Sequence, residues 1–106
     1  FRERERGVRE GLFDLVNQSP TPPHAVRGHL AAIDAFDACA DLARITAPTL
    51  VITGAGDPLI PSENSRLIAD RIPGAQLMLL EDASHFFWIE KPREPADALT
   101  RFFIQA

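Results

Sequence analysis

The chain has 106 residues, 45% of them apolar and 25% charged, with a formal net charge of −4 at pH 7. That is the composition of a folded domain or a piece of one, and the acidic balance argues against a nucleic-acid binder, which would carry a basic face. No stretch approaches the roughly 20 consecutive apolar residues of a membrane span, and the single cysteine, Cys39, excludes a disulfide framework and any multi-cysteine metal site.

The chain opens on Phe1 and an Arg/Glu-rich run, with no signal-peptide pattern, so it reads as beginning inside a longer protein. One thiol is compatible with a reducing compartment, and a cytoplasmic location is the expectation. Residues 1–17 have Val8, Leu12, Leu15 and Val16 at helical spacing, with charges of alternating sign on the solvated face. The prolines at 20, 22 and 23 end that helix. A second helix is expected from Pro23 or His24 to about Phe36, with Val26, Leu30, Ile33 and Phe36 as a buried stripe. His24 and His29 are five apart and do not stack on one face, so no metal site is read there. A short helical turn is expected over Asp37 to Leu42, capped by Asp37 or Asp41, and Cys39 within it reads as a small buried apolar residue.

From Pro48 the pattern changes. Thr49-Leu50-Val51-Ile52-Thr53 is a continuous β-branched run, the pattern of a strand buried on both faces, and it ends in the loop Gly54-Ala55-Gly56-Asp57-Pro58. Pro61-Ser62 opens a helix to about Arg71, with Ser62 as N-cap, Leu67 and Ile68 inward, and Arg66 and Asp70 paired on the wet side. Ile72-Pro73-Gly74 stops it. A second buried strand covers 76–80 and leads into the loop Glu81-Asp82-Ala83-Ser84-His85. The last helix starts between Pro92 and Pro95 and is expected to bury Ala96, Leu99, Phe102 and Phe103. Strand, helix and strand within about 33 residues make a parallel βαβ unit, so the fold class is α/β.

Catalytic groups in open parallel sheets gather beyond the carboxyl ends of the strands. Asp57 follows the first strand and His85 the second, and parallel neighbours lie about 4.8 Å apart. The two side chains are therefore expected to meet. A carboxylate accepting from imidazole Nδ1–H fixes the tautomer and leaves Nε2 free as a base. Taken singly, a loop Asp is a turn former and a lone His a surface or core residue; the matched placement is what points to chemistry.

Residues 45–103 resemble the carboxyl-terminal portion of the α/β-hydrolase superfamily. The resemblance is carried by Ile45 to Gly54, Gly56-Asp57 with Pro61, Ile72-Pro73-Gly74-Ala75, and Ser84-His85-Phe86 with Glu90 and Pro92. It implies a three-layer α/β fold, here truncated to a βαβ unit flanked by helices, with Asp57 as triad acid and His85 as triad base. The order acid before histidine agrees with the family's Ser…Asp…His order. Ser84 stands where many members have Gly. Residues 1–44 then read as the end of a helical cap with the returning helix, and 45–106 as the closing βαβα part of the core.

The family's nucleophile elbow, Gly-x-Ser-x-Gly, has no counterpart among the four serines at 19, 62, 65 and 84, and the oxyanion donors would also lie elsewhere. The resemblance implies a serine hydrolase acting on esters or lactones without cofactor or metal, with this chain inactive alone. An Asp-nucleophile dehalogenase or epoxide hydrolase would use the same Asp57 and His85. A non-catalytic, self-associating module is the reading from another class. Phe86, Phe87 and Trp88 could line an acyl pocket or belong to the core; Phe86 and Trp88 are the pocket candidates. The first strand would lack its earlier neighbour, and its apolar edge at Leu50–Thr53 is expected to pair with another copy.

Overall fold

The computed structural model describes Gly11 and residues 14–105. Most of the helix read over residues 1–17 lies outside the described residues, although 14–18 are helical, with Leu15 and Val16 exposed. The chain divides into two compact units, Phe1–Asp37 and Ala38–Ala106.

In the first unit, α1 spans Pro23–Ala35. Pro23 sits at the first helical position, where a missing N–H costs nothing, and Phe36 ends the helix in an extended conformation. The apolar stripe is present but not buried: Val26, Leu30, Ile33 and Phe36 are all exposed, and the helix has no buried residue. A single helix cannot bury its own stripe, which needs a second surface against it.

The second unit begins with turns and a short 3₁₀ helix, Leu42–Arg44. Asp41 holds the N-cap position, but its carboxylate accepts from Arg44 Nη1 at 2.8 Å rather than from a backbone N–H. Cys39, expected to be buried, is exposed, and its sulfur accepts from Arg71 Nη1 at 3.5 Å. The short turn containing it has no apolar layer to sink into.

Strand β1 (Leu50–Gly54), helix α2 (Ser62–Arg71) and strand β2 (Gln76–Leu80) form the βαβ unit. The strands pair in parallel, with Leu50 opposite Gln76 and Gly54 opposite Leu80. Helix α2 packs on both strands. Pro61, not Ser62, occupies its N-cap, because the proline carbonyl already accepts from Asn64 N–H at 3.0 Å and Ser62 is the first helical residue. Its inward positions are Ser65, Ile68, Ala69 and Ile72, spaced i, i+3, i+4, i+7; Leu67 lies outside that stripe and is exposed. No ion pair joins Arg66 and Asp70 among the described residues. Gly74, at φ +74°, takes the left-handed turn that returns the chain to β2.

A single turn, α3 (Phe87–Glu90), precedes the last helix, α4 (Arg93–Gln105), which contacts β1. The last helix is rotated relative to expectation: Pro95 is buried and Ala98 and Phe102 are half-buried, whereas Ala96, Leu99 and Phe103 face outward. Two strands with two flanking helices cannot bury a full sheet, so β1 is only half-buried over Leu50–Ile52. The core is small: it comprises Ile72 just after α2, Ser65 on α2, and Leu80, Ala83 and Thr53 at the carboxyl end of the sheet.

That end is also where the two loops are joined. Ala55 N–H donates to Leu80 O and Gly56 N–H to Ala83 O, both at 3.0 Å. A Cβ on Gly54 would collide with the carbonyls of Ser84 and Ala83, so only glycine permits this approach. Asp82, at φ 54°, makes the left-handed turn that brings Ala83 back to the seam, a conformation Asp tolerates better than most residues.

Leu80→Ala, at the centre of this core, is expected to cost about 2–5 kcal/mol of stability in urea unfolding. Phe103→Ala, outside it, is expected to cost about 0.5 kcal/mol or less.

Candidate active site

Two adjacent strand ends build the site. β1 runs into the loop carrying Asp57, and β2 runs through the Asp82 turn into the loop carrying His85. Because the strands are parallel and in register to their last residues, both loops leave the sheet at one edge. His85 Nδ1 and Asp57 Oδ2 are 2.9 Å apart. The juxtaposition expected from strand order is formed.

The two oxygens of Asp57 have separate tasks. Oδ1 accepts the backbone N–H groups of Leu59 at 2.8 Å and Ile60 at 3.0 Å, an arrangement local to the loop. Oδ2 is left to His85. Burial pushes the Asp57 carboxyl up, but the Ile60 N–H, the His85 hydrogen bond, the Leu59 N–H and the attraction of a charged His85 outweigh it and hold the group below its usual range. Asp57 is therefore an anion at neutral pH and can only accept. The proton between the two groups then belongs to His85 Nδ1, and Nε2 carries the free lone pair. Exposure matches these roles: the Asp57 side chain is 6% exposed and that of His85 35%. The acid is sheltered from water while the imidazole reaches toward it.

Around His85 the aromatic rings meet edge to face. Phe86 lies 5.2 Å and Trp88 6.4 Å from the imidazole centroid, and Phe87 packs on Trp88 at 5.1 Å. Phe86 and Trp88 are 45% and 49% exposed, so in this chain they form an open apolar rim beside the imidazole and are not core. Phe87 alone is half-buried.

Sequence reading named Ser84 and Glu90 only as parts of a pattern and gave neither a partner. In the structure Glu90 turns back from α3: Oε2 accepts from Ser84 N–H at 2.6 Å and Oε1 from Ser84 Oγ at 2.7 Å. The backbone N–H groups that hold Asp57 were also missed, since nothing in side-chain identity marks them. An open depression of about 440 Å³ is lined by Gly56, Glu81, Asp82, Ser84 and Glu90 among others. Among the described residues, no group of three or more His, Cys, Asp or Glu side chains is placed to hold a metal ion, and no helix is long and apolar enough to cross a membrane.

Comparison with known proteins identifies the fold. The sequence profile of the alpha/beta hydrolase fold matches residues 14–92. The chain is 50% identical over 56 residues to proline iminopeptidase PfmaB of Pestalotiopsis fici, covering 53% of this chain and 20% of that protein. It is 48% identical over 89 residues to rhodomycin D methylesterase DauP of a Streptomyces species, covering 80% of this chain and 26% of that one. The crystal structure of a hydrolase from Pseudomonas aeruginosa superposes with a TM-score of 0.74 at 39% identity, over 79% of this chain and 31% of that one. The chain thus spans about a fifth to a third of the length of the curated relatives it matches. With a parallel βαβ unit, and an aspartate and a histidine meeting at its carboxyl edge, the chain belongs to the α/β-hydrolase family.

Proposed function

We propose that this chain supplies the acid and the base of a serine hydrolase that cleaves carboxylic esters or lactones. The observation that carries the reading is the 2.9 Å hydrogen bond between His85 Nδ1 and an Asp57 carboxylate that the loop already holds ionised. The methylesterase relative supports the ester, and a lactone is an ester closed on itself. In the reaction, His85 Nε2 takes the proton of the nucleophilic serine as its oxygen attacks the carbonyl carbon. The imidazolium then returns that proton to the departing alcohol oxygen. A water, deprotonated by the same nitrogen, releases the acid and restores the serine. Asp57 keeps the ring in register and stabilises the imidazolium throughout. Phe86 and Trp88 would contact the apolar part of the ester beside the imidazole.

None of the four serines follows a strand within Gly-x-Ser-x-Gly; Ser62 opens α2 and Ser84 is held by Glu90. The nucleophile and oxyanion donors therefore have to come from outside this chain, and the 106 residues alone do not turn over ester. Purified chain given a chromogenic short-chain ester is expected to show no rate above buffer and no labelling by a fluorophosphonate. In an enzyme that joins these residues to a nucleophile elbow, His85→Ala is expected to lower kcat about 10⁴–10⁶-fold and Asp57→Asn about 10⁴-fold. Loss of less than tenfold for both would remove them from the catalytic machinery.

The lowered Asp57 carboxyl makes a second prediction, about stability. A carboxyl held lower in the folded state than in the unfolded one adds stability above its unfolded value, near pH 4. That contribution disappears as pH falls through the folded value. The stability difference between the wild type and Asp57→Asn, read by urea unfolding, is expected to stay constant above about pH 5 and to narrow as pH falls below about 4. A pH-independent difference would show that the fold does not hold this group ionised.

The free edge of β1 bears on partners. Among the described residues β1 pairs only with β2, so the Leu50–Thr53 edge presents open backbone groups on an apolar strand. The chain by itself is proposed to form a homo-oligomer through that edge, and sedimentation velocity at micromolar concentration is expected to show a dimer or larger species. A folded monomer would contradict it. The proposed location remains the cytoplasm, and neither nucleic acid nor membrane is assigned as a partner.

A further inference from the structure

Both oxygens of Glu90 are committed to one residue, Ser84, through its backbone N–H and its hydroxyl. Ser84 immediately precedes His85. Its other neighbour, Ala83, is buried and bonded through its carbonyl to Gly56 N–H, on the loop that carries Asp57. Residues 83–84 are thus gripped from two sides: by the Asp57 loop through backbone, and by Glu90 through a charge-assisted pair of hydrogen bonds. Short donor distances of 2.6 and 2.7 Å to a carboxylate mark the stronger class of such bonds. The ring closed by this clamp encloses α3, whose Phe86–Trp88 segment supplies the edge-to-face contacts of the imidazole.

Resting on the reading of His85 as a base oriented by Asp57, we propose that Glu90 is a positioning residue for His85: by clamping Ser84 it fixes the backbone from which the imidazole reaches Asp57. With both oxygens taken by Ser84, Glu90 acts through the loop and not on the ring. Its effect is geometric. Without the clamp, Ser84 is secured only through the chain to Ala83, and the Nδ1–Oδ2 distance is no longer imposed from both sides.

The test reads the tautomer of His85, which a merely stabilising residue would leave alone. At about pH 9, where imidazoles are neutral, long-range ¹⁵N–¹H spectra of the intact chain report the ratio of Nδ1–H to Nε2–H forms, with His24 and His29 as internal references. Wild type is expected to hold His85 in the Nδ1–H form. Glu90→Ala is expected to lower that ratio about tenfold, while Glu94→Ala, an acid on the next helix that lies near Lys91, leaves it unchanged. Glu90→Gln keeps the ratio within about twofold, because the amide oxygen still accepts from the Ser84 N–H and the hydroxyl can turn to accept from the amide NH₂. A Gln variant as impaired as the Ala variant would mean that charge, not the clamp, is at work and would overturn the proposal. So would an unaltered ratio in Glu90→Ala alongside a lost one in Asp57→Asn, with the acid–base reading left standing. An unaltered ratio in Asp57→Asn would instead sink that reading. If circular dichroism shows Glu90→Ala unfolded, Ser84→Ala decides: it removes one of the two bonds, and a smaller drop supports the clamp whereas none refutes it.

Discussion

The site depends on how closely two stretches of backbone approach at the carboxyl end of a two-stranded parallel sheet. Gly54 stands against the carbonyls of Ala83 and Ser84 with no room for a Cβ, and Ala55 and Gly56 donate to Leu80 and Ala83 across the same seam. Pairing the last residues of β1 and β2 sets the starting points of both loops, and the seam keeps them together beyond the ladder. The acid directly follows Gly56 on one loop and the imidazole lies two residues after Ala83 on the other, and Gly56 and Ala83 are bonded to each other. Short leashes of this kind leave little conformational freedom to be lost when the hydrogen bond forms. A glycine, two loop amides and the left-handed turn at Asp82 accomplish this.

Electrostatics follow from that placement. A carboxylate sheltered from water would ordinarily gain a proton, but Asp57 accepts three hydrogen bonds, two from its own loop, and stays ionised. Division of labour between its oxygens means that the group orienting His85 is itself already oriented. A second carboxylate, Glu90, does not compete for the imidazole, because both of its oxygens are spent on Ser84. Two acids near one histidine thus act at different levels, one on the ring and one on the backbone beneath it. Exposed Phe86 and Trp88 complete an apolar rim on the side where the imidazole meets solvent.

The surplus of exposed apolar surface has the same origin as the small core. Four of the stripe residues on α1, together with Leu99 and Phe103 on α4, face outward. In the second unit two strands offer too little area to cover the helices packed on them, and in the first unit α1 by itself has no buried residue. Composition reads as globular because the stripes exist in the sequence; whether a stripe is buried depends on a surface the stripe does not encode.

From the sequence alone came the α/β class, the βαβ order with strand limits within a residue, and the placement of Asp57 and His85 at corresponding strand ends. These are local properties: a β-branched run, proline and glycine stops, and the period of apolar residues. Phase on the helices was less legible. Ser65 and Pro95 are buried while Leu67 and Leu99 are not, because the inward direction is set by neighbouring elements and not by which residues are greasiest. Cys39 and the N-cap at Pro61 differed from expectation for the same reason, being decided by available space and by a backbone carbonyl. Only tertiary structure joined Glu90 to Ser84 and the Leu59 and Ile60 amides to Asp57. Hydrogen bonds of that kind depend on angles and distances between folded segments, which residue types constrain but do not specify.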